Sequence, residues 1–155
     1  MLDVRQLRSH ILALDDRDDA LRRQALHSLR DHDEQEWATA PIEVSHSLVK
    51  ALRSQLLNGG KQPFAQKEVV TILGNMGSRA KSALPQLIEL LGEDVPGPVR
   101  QAAIHALGNI GCADNGVRSA LVDLWLSPMQ LEGGKAQVAQ VARRLSLTKI
   151  SINLF

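Results

Sequence analysis

Residues 66–111 read QKEVVTILGNMGSRAKSALPQLIELLGEDVPGPVRQAAIHALGNIG, and this stretch decides the fold. Within it, LGNMG at 73–77 recurs as LGNIG at 107–111, thirty-four positions later. Self-similarity at a period of about 20–50 residues is typical of repeat proteins that stack one supersecondary unit on the next. The sequence therefore predicts a repeat array rather than a closed globular topology.

Three features of this stretch carry a resemblance to a known repeat. Ala-Leu-Pro at 83–85 opens a second helix, Asp94 stands six residues before Arg100, and ALGNIG at 106–111 ends the unit. The stretch resembles a HEAT repeat, the antiparallel helix pair of α-solenoids. The resemblance implies an all-α, right-handed α-α superhelix of three to four antiparallel helix pairs.

A fainter copy of the repeat lies near the N-terminus and matches the later copy at one constant offset. The matching residues are Asp16, Arg22, Ala25, His27 and Leu29 against Asp94, Arg100, Ala103, His105 and Leu107. In HEAT-like families this Asp and Arg tie neighbouring repeats together by hydrogen bonds. The resemblance assigns that stacking role to Asp16, Arg22, Asp94 and Arg100. The intermediate copy has Gly60 and Gln66 instead, so no tie is expected there.

The composition predicts one soluble helical domain covering 1–155. Aromatic residues make up 3% of the chain and Tyr is absent, which favours packed helices over sheets. The formal net charge of +1 gives no bulk attraction to nucleic acid or anionic lipid. We expect no signal peptide and no membrane span, because the N-terminus is charged and no apolar run is long enough. A single cysteine, Cys112, suits a reducing compartment, so a cytoplasmic location is expected.

Helical spacing of apolar residues divides the domain into a capping helix, three helix pairs and a C-terminal unit. The divisions are 1–14, 15–57, 63–92, 96–127 and 134–155. Asp18 or Asp19 is expected to cap the second helix, and 31–40 is expected to be a longer acidic connection. Predicted helices elsewhere cover 42–57, 64–73, 82–91, 99–110, 117–126 and 135–147.

The last eight residues, 148–155, alternate polar and apolar side chains as a short strand does. A terminal solenoid helix exposes an apolar flank unless something covers it. We therefore expect this tail to fold back over the last helix, with a free docking element as the alternative. Self-association through the C-terminal end would follow if that flank stayed uncovered.

No catalytic arrangement stands out in the sequence. The histidine spacings match no metalloprotease or zinc-finger motif, so no metal site and no cofactor are expected. His27 and His105 lie opposite the apolar stripes of their helices and are interpreted as surface residues. Cys112 has no sequence-local base to activate it. The two Gly-Asn-x-Gly segments follow helices, not strands, which argues against phosphate-binding loops. We therefore expect a protein that is not an enzyme.

The resemblance places partner binding on the concave surface, which the second helices of HEAT-like solenoids line. Helical wheels place polar residues on the solvent side of these helices, and the charge along them changes from basic to acidic. A merely solvated face is the alternative interpretation. The candidate partner-binding residues are His46, Lys50, Arg53, Gln86, Glu89 and Asp123.

The favoured function is a non-catalytic scaffold or adaptor that binds another protein through this surface. Short HEAT-like repeats also occur in phycobilin lyase subunits and in a family of DNA glycosylases, so an enzyme or enzyme subunit is the alternative. Binding to a nucleic-acid backbone is a third reading, based on Lys135, Arg143, Arg144 and Lys149. It is disfavoured because this cluster lacks the interleaved aromatic residues on which bases stack.

Overall fold

The computed structural model describes residues 3–58, 63–111, 115–126 and 134–145, and these residues form an all-α structure. A 3-10 helix at Gly77–Ala83 accompanies nine α-helices within the described ranges. The α-helices are α1 (Val4–Leu14), α2 (Asp19–Arg30), α3 (Glu34–Thr39), α4 (Ile42–Asn58), α5 (Pro63–Asn75), α6 (Leu84–Glu89), α7 (Gly97–Ile110), α8 (Asn115–Leu126) and α9 (Gly134–Arg144).

Aspartate side chains cap the N-termini of the first three helices. Asp3, Asp18 and Asp33 each accept a hydrogen bond from a backbone N–H in the first turn of the helix that follows, at 2.8–2.9 Å. Such a cap satisfies a donor that has no partner inside the helix. The expected cap of α2 is confirmed, and the capping residue is Asp18.

The helices form two layers around one continuous apolar core. The first layer contains α2, α5, α7 and α9, each packed on the next. The second layer contains α1, α4, the 3-10 helix with α6, and α8 in the same order. The core between them extends from Leu7 to Leu145. This arrangement confirms the expected all-α solenoid, in which each unit packs mainly on its neighbours.

Helices within a layer run parallel, because their C-terminal ends meet. Asn75, the last residue of α5, bonds to the carbonyl of Arg30 at the end of α2. In the second layer, Gln55 near the end of α4 donates to the carbonyl of Leu14 at the end of α1, at 2.8 Å. The last carbonyls of a helix have no partner inside it, so the Gln55 bond also caps α1.

Two segments differ from the sequence-based expectation. The connection 31–40 contains a short helix, α3, because Trp37 is 1% exposed and anchors it to the core. The helix expected over 82–91 is a 3-10 helix followed by the shorter α6. Pro85 provides no N–H for a longer α-helix across this junction. The tail 148–155 and the last two residues of the helix expected over 135–147 lie outside the described residues.

The repeated motif has the same structural role in both copies. A Cβ added to Gly74 would lie 3.0 Å from the Cα of Ala106, so this glycine lets α5 approach α7 closely. A Cβ on Gly108 would likewise lie 3.0 Å from Cγ2 of Val141, at the contact of α7 with α9. The second glycine of each copy, Gly77 or Gly111, has a positive φ where the helix ends.

Candidate functional site

Two surfaces are candidates for binding: the outward face of the second layer and a groove between α5 and α7 in the first layer. We define the second-helix face by the six residues that the sequence predicts. His46, Lys50 and Arg53 are on α4, Gln86 and Glu89 on α6, and Asp123 on α8.

The structure brings two of the six side chains into direct contact. Nε of Arg53 donates to Oε1 of Gln86 at 3.0 Å, which joins α4 to α6 across the face. His46 and Lys50 on the same helix are exposed, as are Glu89 and Asp123 on the neighbouring helices. Polar side chains of the face therefore meet where α4 and α6 adjoin, while the role of the face in binding stays a prediction.

The charge of this face changes along the layer. Lys50 lies on α4, whereas Glu89 and Asp123 lie on the two helices that follow it. Lys81 and Arg118 are also exposed in the second layer, so the change from basic to acidic is not uniform. Charge patterns of this kind select and steer partners more than they add affinity.

Arg22 and Arg100, the two arginines predicted to tie repeats together, each donate hydrogen bonds to the loop that precedes their own helix. The guanidinium of Arg100, 4% exposed, donates to the carbonyls of Gly92, Glu93 and Val95 at 2.7–3.2 Å. Burial of this charge is tolerated because several carbonyls surround it. These bonds stay inside one repeat, so the predicted tie between repeats through Arg100 stays a prediction.

The N-terminal copy shows the same local pattern. Nη1 of Arg22 donates to the carbonyl of Asp16 at 2.6 Å, and Nη2 donates to Oδ1 of Asp19 at 3.0 Å. The carboxylate of Asp16 accepts from the backbone N–H of Asp18. Asp94, the equivalent of Asp16, is exposed. Both copies thus use the arginine to hold an interhelical loop.

Sequence reasoning missed the residues that join neighbouring helices of the first layer. Nδ2 of Asn75 donates to the carbonyl of Arg30 at 3.0 Å, and Oδ1 of Asn109 accepts from Nη1 of Arg144 at 2.7 Å. These asparagines occupy the same place in the two copies of LGNxG. Their recurrence was the available signal, and it points to packing between repeats.

A partly buried ion pair also joins α2 to α5. Nη1 of Arg30 lies 2.9 and 3.2 Å from the two carboxylate oxygens of Glu68, whose side chain is 10% exposed. No repeat pattern could have indicated this pair, because Ala102 stands at the position of Glu68 in the next copy.

The α5–α7 groove is an open cavity of about 300 Å³ in the first layer. Small side chains form its floor, because α5 and α7 approach closely at Gly74 and Ala106. Polar residues line both sides: Lys67, Thr71 and Asn75 on α5, and Gln101, His105 and Asn109 on α7. No motif predicted this groove, since it arises where two repeats meet.

The histidines confirm one interpretation and add an observation. His27 and His105 are exposed, as expected for surface residues. His10, half-buried on α1, has its pKa lowered by burial and by the nearby imidazole of His32. His32 in turn contacts Glu36 at 3.0 Å and lies edge-on against Trp37. Cys112 lies outside the described residues.

Comparison with known families agrees with this architecture. A family model described as HEAT repeats matches residues 8–108 and, in a second overlapping match, residues 49–130. No curated protein and no solved structure matches the chain significantly. None of the described helices is both long enough and apolar enough to span a membrane.

Proposed function

Since the chain belongs to the HEAT-repeat family, we propose that it is a non-catalytic scaffold that binds another protein through its second-helix face. HEAT repeats are commonly protein-interaction scaffolds. The observation that carries the proposal is the contact of Arg53 with Gln86, which joins adjacent second helices into one polar surface. Lys50 and Glu89 stand exposed on either side of it.

The arrangement suits a protein partner better than a small molecule. Small ligands are held in concave pockets that bury most of their surface. The second-helix face instead spreads separate charges over three neighbouring helices, where a partner with complementary charges can be oriented. We also propose a cytoplasmic location, which the single cysteine supports because it leaves no partner for an intramolecular disulfide.

The test is recovery of native partners on the intact chain, followed by comparison of two variants. The double variant Lys50→Glu, Arg53→Glu reverses the basic part of the face. Arg143→Glu is the control, because Arg143 is exposed on α9, which belongs to the first layer. We expect the double variant to lose a partner that wild type and control retain. Equal retention of every partner by all three proteins would remove this face as the binding surface.

A further inference from the structure

We propose that the α5–α7 groove is a second binding site, separate from the second-helix face, and that it takes an extended acidic peptide segment of a protein partner. The groove lies in the first layer, whereas the second-helix face belongs to the other layer. The two sites can therefore fail or succeed independently in a binding experiment.

The shape of the groove favours an extended chain. Lining residues on α7 run from Pro98 to Asn109, eleven residues along the helix, which corresponds to about 16 Å at about 1.5 Å per residue. An extended peptide advances about 3.3 Å per residue, so roughly five residues would fill this length. A compact ligand in a trough open to solvent would leave much of its surface exposed.

The residues that form the floor of the groove are too small to fill it. Gly74 has no side chain, and Ala102 and Ala106 carry only a methyl group. Close approach of α5 and α7 brings the backbone of Ala106 against Gly74, so this floor is set by helix packing. Because the helices fix it, the groove is preformed, and binding would cost little reorganisation of this chain.

The walls offer groups that pair with a peptide backbone. Nδ2 of Asn75 is used by Arg30, and Oδ1 of Asn109 is used by Arg144. Among the described residues, no contact engages the other polar atom of either amide. Asn75 thus keeps one acceptor and Asn109 one donor, and both residues line the same end of the groove. Every non-proline peptide unit carries one donor and one acceptor, which this pair complements.

Among the described residues that line the groove, the charged one is Lys67, and none is a carboxylate. His105 adds an exposed imidazole to the opposite side. Glu68 follows Lys67 but is paired with Arg30 and buried. Arg144 reaches the far end of the groove through its bond to Asn109. Lys67 and Arg144 favour an acidic segment, whereas a nucleic-acid backbone would need more cations converging on its phosphates.

The experiment selects peptides from a displayed library of random heptapeptides on the immobilised full chain. Affinities of the selected peptides are then measured by fluorescence polarisation against wild type and variants. The double variant Lys67→Glu, His105→Glu reverses the lining charge of Lys67 and adds a second carboxylate across the groove, both at exposed positions. We expect the selected peptides to be rich in Asp and Glu and to bind this variant roughly tenfold more weakly, since each tenfold step corresponds to about 1.4 kcal/mol.

A second variant separates the groove from general electrostatic attraction. Thr71→Arg adds a cation but places a long side chain in the trough. Occupation of the groove predicts weaker binding, whereas simple attraction to a basic surface predicts stronger binding. Thermal unfolding of each variant checks that the fold is retained, and Lys50→Glu, Arg53→Glu is the control on the other layer, expected to bind within about twofold of wild type.

Three results would overturn the proposal. The first is selection of no peptides, or of peptides without acidic residues. The second is that both groove variants, Lys67→Glu, His105→Glu and Thr71→Arg, bind the peptides with wild-type affinity. This result includes the case in which only Lys50→Glu, Arg53→Glu loses peptide binding. The third is that a twelve-nucleotide oligothymidylate binds wild type more tightly than the peptides do and binds the groove variants more weakly. That result would identify a nucleic-acid site.

Discussion

At the scale of single residues, three positions of the repeated LGNxG motif have different structural roles. Leu73 and Leu107 are completely buried in the core. The first glycine lets neighbouring helices approach, and the asparagine bonds to the adjacent helix. A sequence repeat therefore encodes the contact between repeats as well as the helix itself.

Alanine substitutions at glycine test the close approach of α5 and α7. Gly74→Ala should destabilise the protein by about 1–3 kcal/mol, the usual range for overpacking, because its Cβ would meet the backbone of Ala106. Gly108→Ala should cost less, since a side chain, Val141, can shift instead. Gly97→Ala is the control because no atom lies within 4 Å of its added Cβ. Urea denaturation measures all three, and equal effects would contradict this packing.

The environment of His10 predicts a dependence of stability on pH. Its pKa in the folded protein is lowered from the ordinary 6.5 by burial and by His32, so the unfolded chain binds a proton more readily. At high pH, where His10 is neutral in both states, it does not lower the free energy of unfolding. As the pH falls through 6.5, the unfolded chain takes up the proton more readily and the fold is destabilised.

The expected result is that acidification from about pH 7.5 to about pH 5.5 lowers the melting temperature less in His10→Gln than in wild type. His46→Gln, at an exposed site of α4, is the control and should keep the wild-type response. An identical pH response of His10→Gln and wild type would show that burial of His10 does not affect stability.

At the scale of helices, periodic apolar residues were sufficient to predict most elements. The helices around Leu73 and Leu107 were predicted because their buried stripes repeat every three to four residues. The helix α3 was missed because its six residues are too few to show a period and its burial depends on Trp37 alone. Propensity rules give no warning of the 3-10 helix at Gly77–Ala83, which depends on packing against α4 and α7.

The candidate sites were less accessible to sequence reasoning. Wheel positions placed Lys50 and Glu89 on the solvent side, and both are exposed. The bond between Arg53 and Gln86 depends on how α4 and α6 are spaced, which no single helix encodes. The α5–α7 groove was missed for the same reason, because it exists only between two helices.

Truncation of a core leucine tests the assignment of helix faces. Leu107 is fully buried, so Leu107→Ala should cost about 2–5 kcal/mol, and Leu73→Ala should behave alike. His105→Ala on the same helix is exposed and should change stability by no more than about 0.5 kcal/mol. Chemical denaturation distinguishes the two classes, and similar losses at all three positions would mean that the faces are misassigned.

At the scale of the whole molecule, the two layers present different chemistry. The second layer carries both carboxylates and cations on α4, α6 and α8 or in the 3-10 helix, whereas beyond α2 the described parts of the first layer, α5, α7 and α9, contain one carboxylate, Glu68, and it is paired. A stack of this kind exposes long surfaces relative to its core, which suits binding to proteins by extended contact. Such surfaces are set by the order of the helices and are absent from any isolated repeat.

Hydrogen–deuterium exchange of the chain with and without its native partner tests the central claim most directly. Backbone amides buried by a partner, or in helices that it stabilises, exchange more slowly. Binding through the second-helix face predicts slower exchange in α4 and α6, including the peptides around Lys50 and Glu89, with little change in α2. Slower exchange confined to other helices, with α4 and α6 unchanged, would contradict the account.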